Sequence, residues 1–566
     1  MEANSLNFAG DHVPCSMNLT NKDIGRLFDE LAQLMELHGE NEFKIRSYAN
    51  AGLAIRKMDL PLLSQSQKEN EAVKGIGKSI AEKIEELKSS GTIAALESLR
   101  SQTPEGVREM LRIKGLGPKK LKIIWHDMNI ENPGELLYAC QENRLLMFTG
   151  FGLKTQEEIV KNLLFFQQHK DSFLLSQIIP AADALLTALR QLKPEAQFEL
   201  TGEARRWMPV CNKIHILCSE KPGQWPENLS ILSENDSEVS ALLDDKYPVK
   251  VDIVPSSNFG RHHFMTTGGS EAFMSEYYFQ PDQTYSTEAE IFEKMGRPII
   301  PAECRDMNSF WAEKASDLIE ENDIRGVVHA HSKYSDGMYS LREMAMECIR
   351  LGYEYLVISD HSKTAAYAGG LQVERVLAQW NEIDTLNTEL KPFKIFKSIE
   401  SDILSDGALD YESEVLQGFD LVIASIHSQL NMTEEKAMNR LLRAIENPYT
   451  SMLGHPTGRL LLSRKAYPVD HKMMIDHCAA HGVCIEINAN PMRLDLDWQW
   501  LEYATSKNVK ISINPDAHNL RGITDIHWGV KMARKAGLSK ADCINTLPLA
   551  EFDSWVSGRK NSKHIF

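Results

Sequence analysis

A chain of 566 residues exceeds what one hydrophobic core can hold, so roughly three to five domains are expected, and 43% hydrophobic with 25% charged residues is the composition of a soluble globular protein. A formal net charge of −17 excludes a surface coated in basic residues, and no stretch approaches the roughly 18 unbroken apolar residues of a membrane span. Residues 1–21 read as a flexible N-terminus without a secretory leader, and the 9 cysteines, scattered without CxxC spacing, read as reduced thiols in a cytoplasmic protein.

From Asn21 to about Asn162 apolar residues recur at helical spacing, as in Ile24, Leu27, Leu31, Leu34 and Met35. One pattern repeats within this stretch: Lys74-Gly75-Ile76-Gly77-Lys78, Lys114-Gly115-Leu116-Gly117-Pro118 and Thr149-Gly150-Phe151-Gly152-Leu153, each between two helical segments. Glycines on either side of an apolar residue permit a tight turn with positive φ and expose backbone N–H groups at the start of the next helix, where a phosphate oxygen can bind. The pattern predicts helix-hairpin-helix modules in two all-α domains, 22–100 and 101–170, with Gly75, Gly77, Gly115, Gly117, Lys119, Gly150 and Gly152 on the DNA backbone. Phosphate contact reads no base sequence, so the expected partner is DNA, at ends or gaps, bound without sequence preference and more weakly as salt rises.

Farther along, Gln197 to Thr201, Lys213 to Cys218 and Val249 to Val254 run apolar or alternate like strands of a half-covered sheet, within a region expected over 171–255. Helical spacing at Glu288, Ile291, Phe292 and Met295, then the turn Arg297-Pro298-Ile299-Ile300-Pro301, closes a unit over 256–305. The polar, acidic stretch 306–322 reads as a linker.

From Ile324 onward strand-like runs alternate with amphipathic helical segments: Gly326 to Val328, Tyr355 to Ser359, Lys394 to Ile399, Leu421 to Ile426, Ser451 to Leu453, Val483 to Ile487 and Val509 to Ile513. Such βα alternation predicts a distorted (β/α)7 barrel over 323–566. Six of these seven runs end in candidate metal ligands: His329-Ala330-His331, Asp360-His361, Glu400, His427, His455 and Asp516-Ala517-His518, with Asp336 just after the first. A lone His-x-His says little, since 18 His in 566 residues give one by chance about 0.6 times. The whole set says more, because barrels gather functional groups at the C-terminal strand ends, and imidazole with carboxylate suits Zn²⁺ or Mn²⁺ better than Mg²⁺ alone.

These residues also carry resemblances to known families. Asn41-Glu42-Phe43-Lys44-Ile45-Arg46-Ser47-Tyr48 with Gly75-Ile76-Gly77-Lys78-Ser79-Ile80-Ala81-Glu82-Lys83-Ile84 is similar to the small N-terminal domain of family X DNA polymerases, the polymerase beta type. That resemblance implies a Schiff-base lyase role for Lys83, although Ser79 departs from the basic residue expected beside it. Gly202-Glu203-Ala204-Arg205-Arg206 and Thr266-Thr267-Gly268-Gly269-Ser270 resemble turns of the same family's α+β palm and thumb. Of the carboxylates that the family places around its magnesium ions, only Asp252 is present, and Lys213 with His215 stands where the other two belong. A lysine ammonium there repels Mg²⁺ by several kcal/mol even at an effective dielectric near roughly 20. Nucleotide addition is therefore expected to be lost, with Arg205 and Asp252 as remnants.

The strand-end motifs, together with Ser335-Asp336-Gly337, Ser425-Ile426-His427-Ser428 and Gly454-His455-Pro456, resemble the polymerase and histidinol phosphatase (PHP) domain. The resemblance implies three divalent ions, Zn²⁺ or Mn²⁺: one on His329, His331, Glu400 and Asp516; a second sharing Glu400 with His427 and His455; a third on Asp336, His361 and His518. It places Glu400, His427 and Asp516 at the centre of catalysis, and Lys363, Arg459 and Arg493 are candidate phosphate contacts. Gly454 to Leu462, Glu486 to Leu496 and Glu400 to Gly407 are similar to the PHP domain fused to bacterial family X polymerases, the PolX type, which implies 3′-to-5′ exonuclease action or other DNA 3′-end processing in repair. Other readings stay open: a histidinol-phosphatase-like phosphomonoesterase, an active family X polymerase, and a non-catalytic DNA-repair adaptor.

Overall fold

A computed structural model of the chain describes residues 19–58, 60–166, 172–280, 283–307 and 317–563. It divides into two compact units, Met1–Leu136 with Glu157–Leu163 and Leu137–Gln156 with Leu164–Phe566. The expected flexible N-terminus and the expected linker over 306–322 lie largely outside the described residues.

The first unit is helical. Helix Asn21–Leu37 starts at a capping box between Thr20 and Asp23, and its Ile24, Phe28, Leu31, Leu34 and Met35 are buried at i, i+3, i+4 spacing. It packs on helix Glu42–Arg56, where a Cβ on Gly25 would come within 2.9 Å of the Gly52 carbonyl oxygen. The first two glycine turns are formed: Gly75 and Gly115 take φ of +100° and +88°, and the intervening Ile76 and Leu116 are buried. Gly77 and Gly117 then open helices Lys78–Ser90 and Pro118–Lys122 with no side-chain cap.

In the second unit the third turn, with Gly150 at φ +94°, precedes strands β1 (Phe173–Leu174), β2 (Phe198–Thr201), β3 (Val210–Cys211), β4 (Ile214–Cys218), β5 (Leu229–Glu234), β6 (Glu238–Leu243) and β7 (Tyr247–Ile253). β1 pairs with β3, and the others form a sheet ordered β2-β4-β7-β6-β5 in which β4 and β7 are parallel. Helix Leu175–Leu192 contributes Ile178, Ala182, Leu185 and Leu189 to the core of this sheet. The β5–β6 hairpin has no counterpart among the expected strands, because every β5 residue after Leu229 is exposed and the run carries little apolar signal. Beyond it, Phe264, Phe273 and Phe292 surround the buried Arg305, which joins Arg205 in holding Glu288. Burial alone would raise the Glu288 carboxyl, but the two guanidiniums outweigh it and bring it down to about 2.

Strands β8 (Gly326–Ala330), β9 (Tyr355–Ile358), β10 (Lys394–Asp402), β11 (Leu421–Ser425), β12 (Met452–Leu453), β13 (Cys484–Asn488) and β14 (Ile511–Asn514) pair in parallel in chain order, and an Ala330–Ala517 bridge nearly closes the ring. Most of their residues are buried on both faces, which is why they read as continuous apolar runs. The intervening helices pack one apolar stripe inward. In Leu341–Arg350, Leu341, Met344, Ala345 and Cys348 are buried, and a Ser340–Glu343 capping box starts the helix, a device worth about 1 kcal/mol. No helix among the described residues is long and apolar enough to cross a membrane, and their cysteines are all buried and unpaired.

Candidate metal centre

The barrel aims its ligands by bending the backbone. His329 lies inside β8 at a register shift between Val328 and Ala330, with φ +64°, and Asp516 takes φ +51°. Left-handed backbone at a non-glycine residue costs of order 1–3 kcal/mol and persists where surrounding contacts over-determine it, commonly at functional sites. Glu400 is also inside its strand, since β10 runs past the expected end to Asp402.

The side chains so placed converge at one mouth. His331 Nε2 lies 2.9 Å and His329 Nε2 3.4 Å from Asp516 Oδ1, while the two imidazoles stand 3.7 and 3.4 Å from Glu400. Glu400 Oε1 lies 3.1 Å from His427 Nε2 and 2.9 Å from His455 Nε2. Asp336 is 3.4 Å from His361 Nε2 and 3.3 Å from His518 Nε2, with His331 in the same group. His361 also reaches Glu400, at 3.0 Å, so the groups share ligands. All of these side chains are almost fully buried.

Many of these atoms have no hydrogen-bond partner: His329 Nε2, His331 Nδ1, Asp336 Oδ2, both ring nitrogens of His361, Glu400 Oε2, His455 Nδ1 and His518 Nε2. A buried polar atom left unsatisfied costs roughly 1–3 kcal/mol, and with three compact His and carboxylate groups at the mouth these side chains form a donor set that fits divalent cations. Outer partners fix which nitrogen faces inward. Glu486 accepts from His329 Nδ1 at 2.6 Å, Asp402 from His427 Nδ1 at 2.5 Å, and the Asp516 carbonyl from His518 Nδ1 at 2.9 Å. Asn514 donates to Glu486, and Asn488 donates to Asp516.

The charges polarise one another. Burial favours neutral forms, yet facing histidines hold Glu400, Asp336 and Asp516 well below the usual carboxylate range. Burial likewise works against a charged His518, but Asp336 brings it up to about 9. His455 stays below its usual value through burial and the nearby Arg493 charge.

Asp360, next to His361, is a loop clamp: its carboxylate accepts from Ser332, Ser335 and Gln379. Arg493 is buried near the mouth with Nη1 unpartnered. Arg459 uses its guanidinium on the Arg493 and Leu494 carbonyls and on Asp497, and Lys363 stands over the Tyr411 ring. On the five-stranded sheet, Asp252 lies between His215 Nε2 at 2.8 Å and Lys250 Nζ at 3.0 Å. Burial would raise Asp252, but these hydrogen bonds outweigh it and hold the carboxyl below its usual value. In the first unit Lys83 is ion-paired to Glu86 at 2.6 Å, while Lys119 is exposed.

Glu486 and Asp402 escaped the sequence reading as functional positions. Glu486 lies in the middle of β13, a run with no ligand at its end, and Asp402 closes β10 three residues beyond the expected end at Ile399. An acidic residue inside an apolar strand was the available signal.

A helix-hairpin-helix domain family matches residues 19–93, a SAM-like helix-hairpin-helix tandem 107–163, and the PHP domain 328–490. The chain is 34% identical over 566 residues, covering 94% of its own length and 99% of the relative's, to the DNA polymerase/3′-5′ exonuclease PolX of Bacillus subtilis. A probable phosphatase of Thermoanaerobacter is 25% identical over 229 residues, 38% of this chain and 89% of the relative. A probable phosphatase of Escherichia coli is 26% identical over 170 residues, 28% of this chain and 62% of the relative.

Proposed function

The chain belongs to the PolX family, and on that footing we propose that it is a metal-dependent phosphoesterase that trims DNA 3′ ends in the 3′-to-5′ direction, in repair and in the cytoplasm. The observation that carries this reading is the set of buried, unpartnered imidazole and carboxylate atoms meeting at the barrel mouth. Zn²⁺ or Mn²⁺ suits that donor set, and we assign three ions to it: on His329, His331, Glu400 and Asp516; on Glu400, His427 and His455; and on Asp336, His361 and His518, a division supported by three compact donor groups that differ from it in membership. When bound, such ions supply Lewis acidity toward a phosphate ester and toward water.

The chain's own residues do the rest. Glu486 and Asp402 hold His329 and His427 in the tautomer that leaves Nε2 facing inward. Glu400 binds from the middle of the set, and burial excludes bulk water from all of it. Arg493, with a free N–H beside the ligands, is the phosphate contact the geometry favours over Arg459 and Lys363. The uncapped helix starts after Gly77 and Gly117 offer N–H groups to DNA backbone phosphates.

The palm supports no nucleotide addition in this reading, since Asp252 is already neutralised by Lys250 and His215. A gapped duplex labelled separately at each end, incubated with Mn²⁺ and with or without nucleotides, tests the assignment. Loss of the 3′ label, abolished by chelator and unchanged by nucleotides, is expected. Extension of the primer, or hydrolysis of small phosphomonoesters with no action on DNA, would refute it.

A further inference from the structure

Beside the metal ligands the second unit buries another charged cluster. Its segment Leu137–Gln156 carries Tyr138, Glu142 and Arg144, and Asn143 Nδ2 donates to the Asp336 carbonyl oxygen at 3.4 Å, so this segment sits directly on the barrel mouth. Arg493 Nε donates to Tyr138 Oη at 2.6 Å, with the guanidinium 4.6 Å from that ring's centroid. The Arg144 guanidinium lies 5.0 Å from the centroid of Tyr367, whose ring is 6.4 Å from that of His361. The Glu142 carboxylate stands between the two cations, 2.6 Å from Arg144 Nη2 and 4.0 Å from Arg493 Nη2.

Unused hydrogen-bonding atoms remain in this cluster: Arg493 Nη1 and Arg144 Nε have no hydrogen-bond partner, and neither has Glu142 Oε2. Arg493 is only 3% exposed, so bulk solvent does not reach it freely. A metal ion cannot serve a guanidinium, whereas phosphate oxygens match its planar fork. The segment that brings Arg144 belongs, by sequence, to the hairpin region.

We infer that Arg144 and Arg493 form a two-armed clamp for the phosphate group of an ester presented to the barrel's ligands, and that the Glu142 carboxylate holds the clamp closed until that phosphate displaces it. The inference rests on the phosphoesterase reading and adds to it a residue from outside the barrel. Anions that meet both arms gain bonds that Glu142 alone does not provide, since its nearer oxygen stands at ion-pair distance from Arg144 without a hydrogen bond and the other stands 4.0 Å from Arg493.

Calorimetric titration of the metal-loaded, full-length protein with inorganic phosphate, and in parallel with a DNA dinucleotide, tests the clamp. Arg144→Ala is expected to weaken binding about 10- to 100-fold with metal content unchanged, the loss typical of a charge-assisted pair. Glu142→Gln is expected to tighten it, by removing the resident competitor. Where Arg144→Ala fails to fold, Arg144→Lys keeps the charge without the fork and should bind less tightly than wild type. Arg144 dependence in the dinucleotide arm places a diester in the clamp, and dependence in the phosphate arm alone places a monoester there. Dependence in neither arm, or weaker binding by Glu142→Gln, overturns the clamp. A wild type that binds phosphate through Arg144 yet cleaves no ester would refute the phosphoesterase reading and leave the clamp standing.

Discussion

The five-stranded sheet and the barrel both bring histidine and aspartate together on parallel strands, and they treat the carboxylates in opposite ways. On β7 of that sheet, Asp252 is met by His215 from the neighbouring β4 and by Lys250 from its own strand, so its charge is balanced within the protein. At the barrel mouth Glu400, Asp336 and Asp516 face imidazoles instead, and atoms on both sides remain without partners. A lysine supplies its positive charge permanently and repels a metal ion, whereas a neutral imidazole offers a lone pair. Histidine and aspartate alone do not separate the two sites; what separates them is the added lysine and whether the donors are already satisfied.

Removing barrel ligands should break the comparison most visibly. His329→Ala combined with His331→Ala is expected to lower DNA trimming by more than about 100-fold, beyond the 10–100-fold typical of losing an outer-shell partner, with a matching loss of bound metal by elemental analysis. Trimming that persists without metal would mean that the barrel is not the centre. Next in size is Glu486→Gln, which keeps the shape but weakens the acceptor that orients His329. It should reduce metal affinity about 10- to 100-fold, read by competition with a chromogenic chelator.

The barrel was legible because its strands are buried on both faces and its ligands follow a strand-end rule, so runs such as Leu421 to Ile426 and His427 could be placed from sequence. Glu486 was not, because its work is to bond His329, which lies far away along the chain. Arg144 was hidden for a related reason: its stretch carries a hairpin pattern, and only tertiary packing sets it against Tyr367. In the five-stranded sheet, Lys213 and His215 stood out in the sequence, yet the lysine that pairs with Asp252 is Lys250, an ordinary strand residue by pattern. The β5–β6 hairpin shows the remaining limit, since an exposed strand buries too little to mark itself.

The smallest effect on activity should come from the five-stranded sheet itself. Asp252→Asn is expected to leave DNA trimming unchanged within about twofold, and primer extension should be undetectable in both proteins, because the carboxylate serves Lys250 and His215 and not an ion. Its effect should appear in stability instead: losing two partly buried charge-assisted hydrogen bonds costs about 1–2 kcal/mol. The Asp252 carboxyl is held below its unfolded value, so this stabilisation is complete at neutral pH and fades as pH falls below about 4 through the folded value. Thermal unfolding of wild type and variant should therefore differ at pH 7 and converge in acid. A variant that instead loses trimming activity at full stability would show that Asp252 acts in the reaction after all.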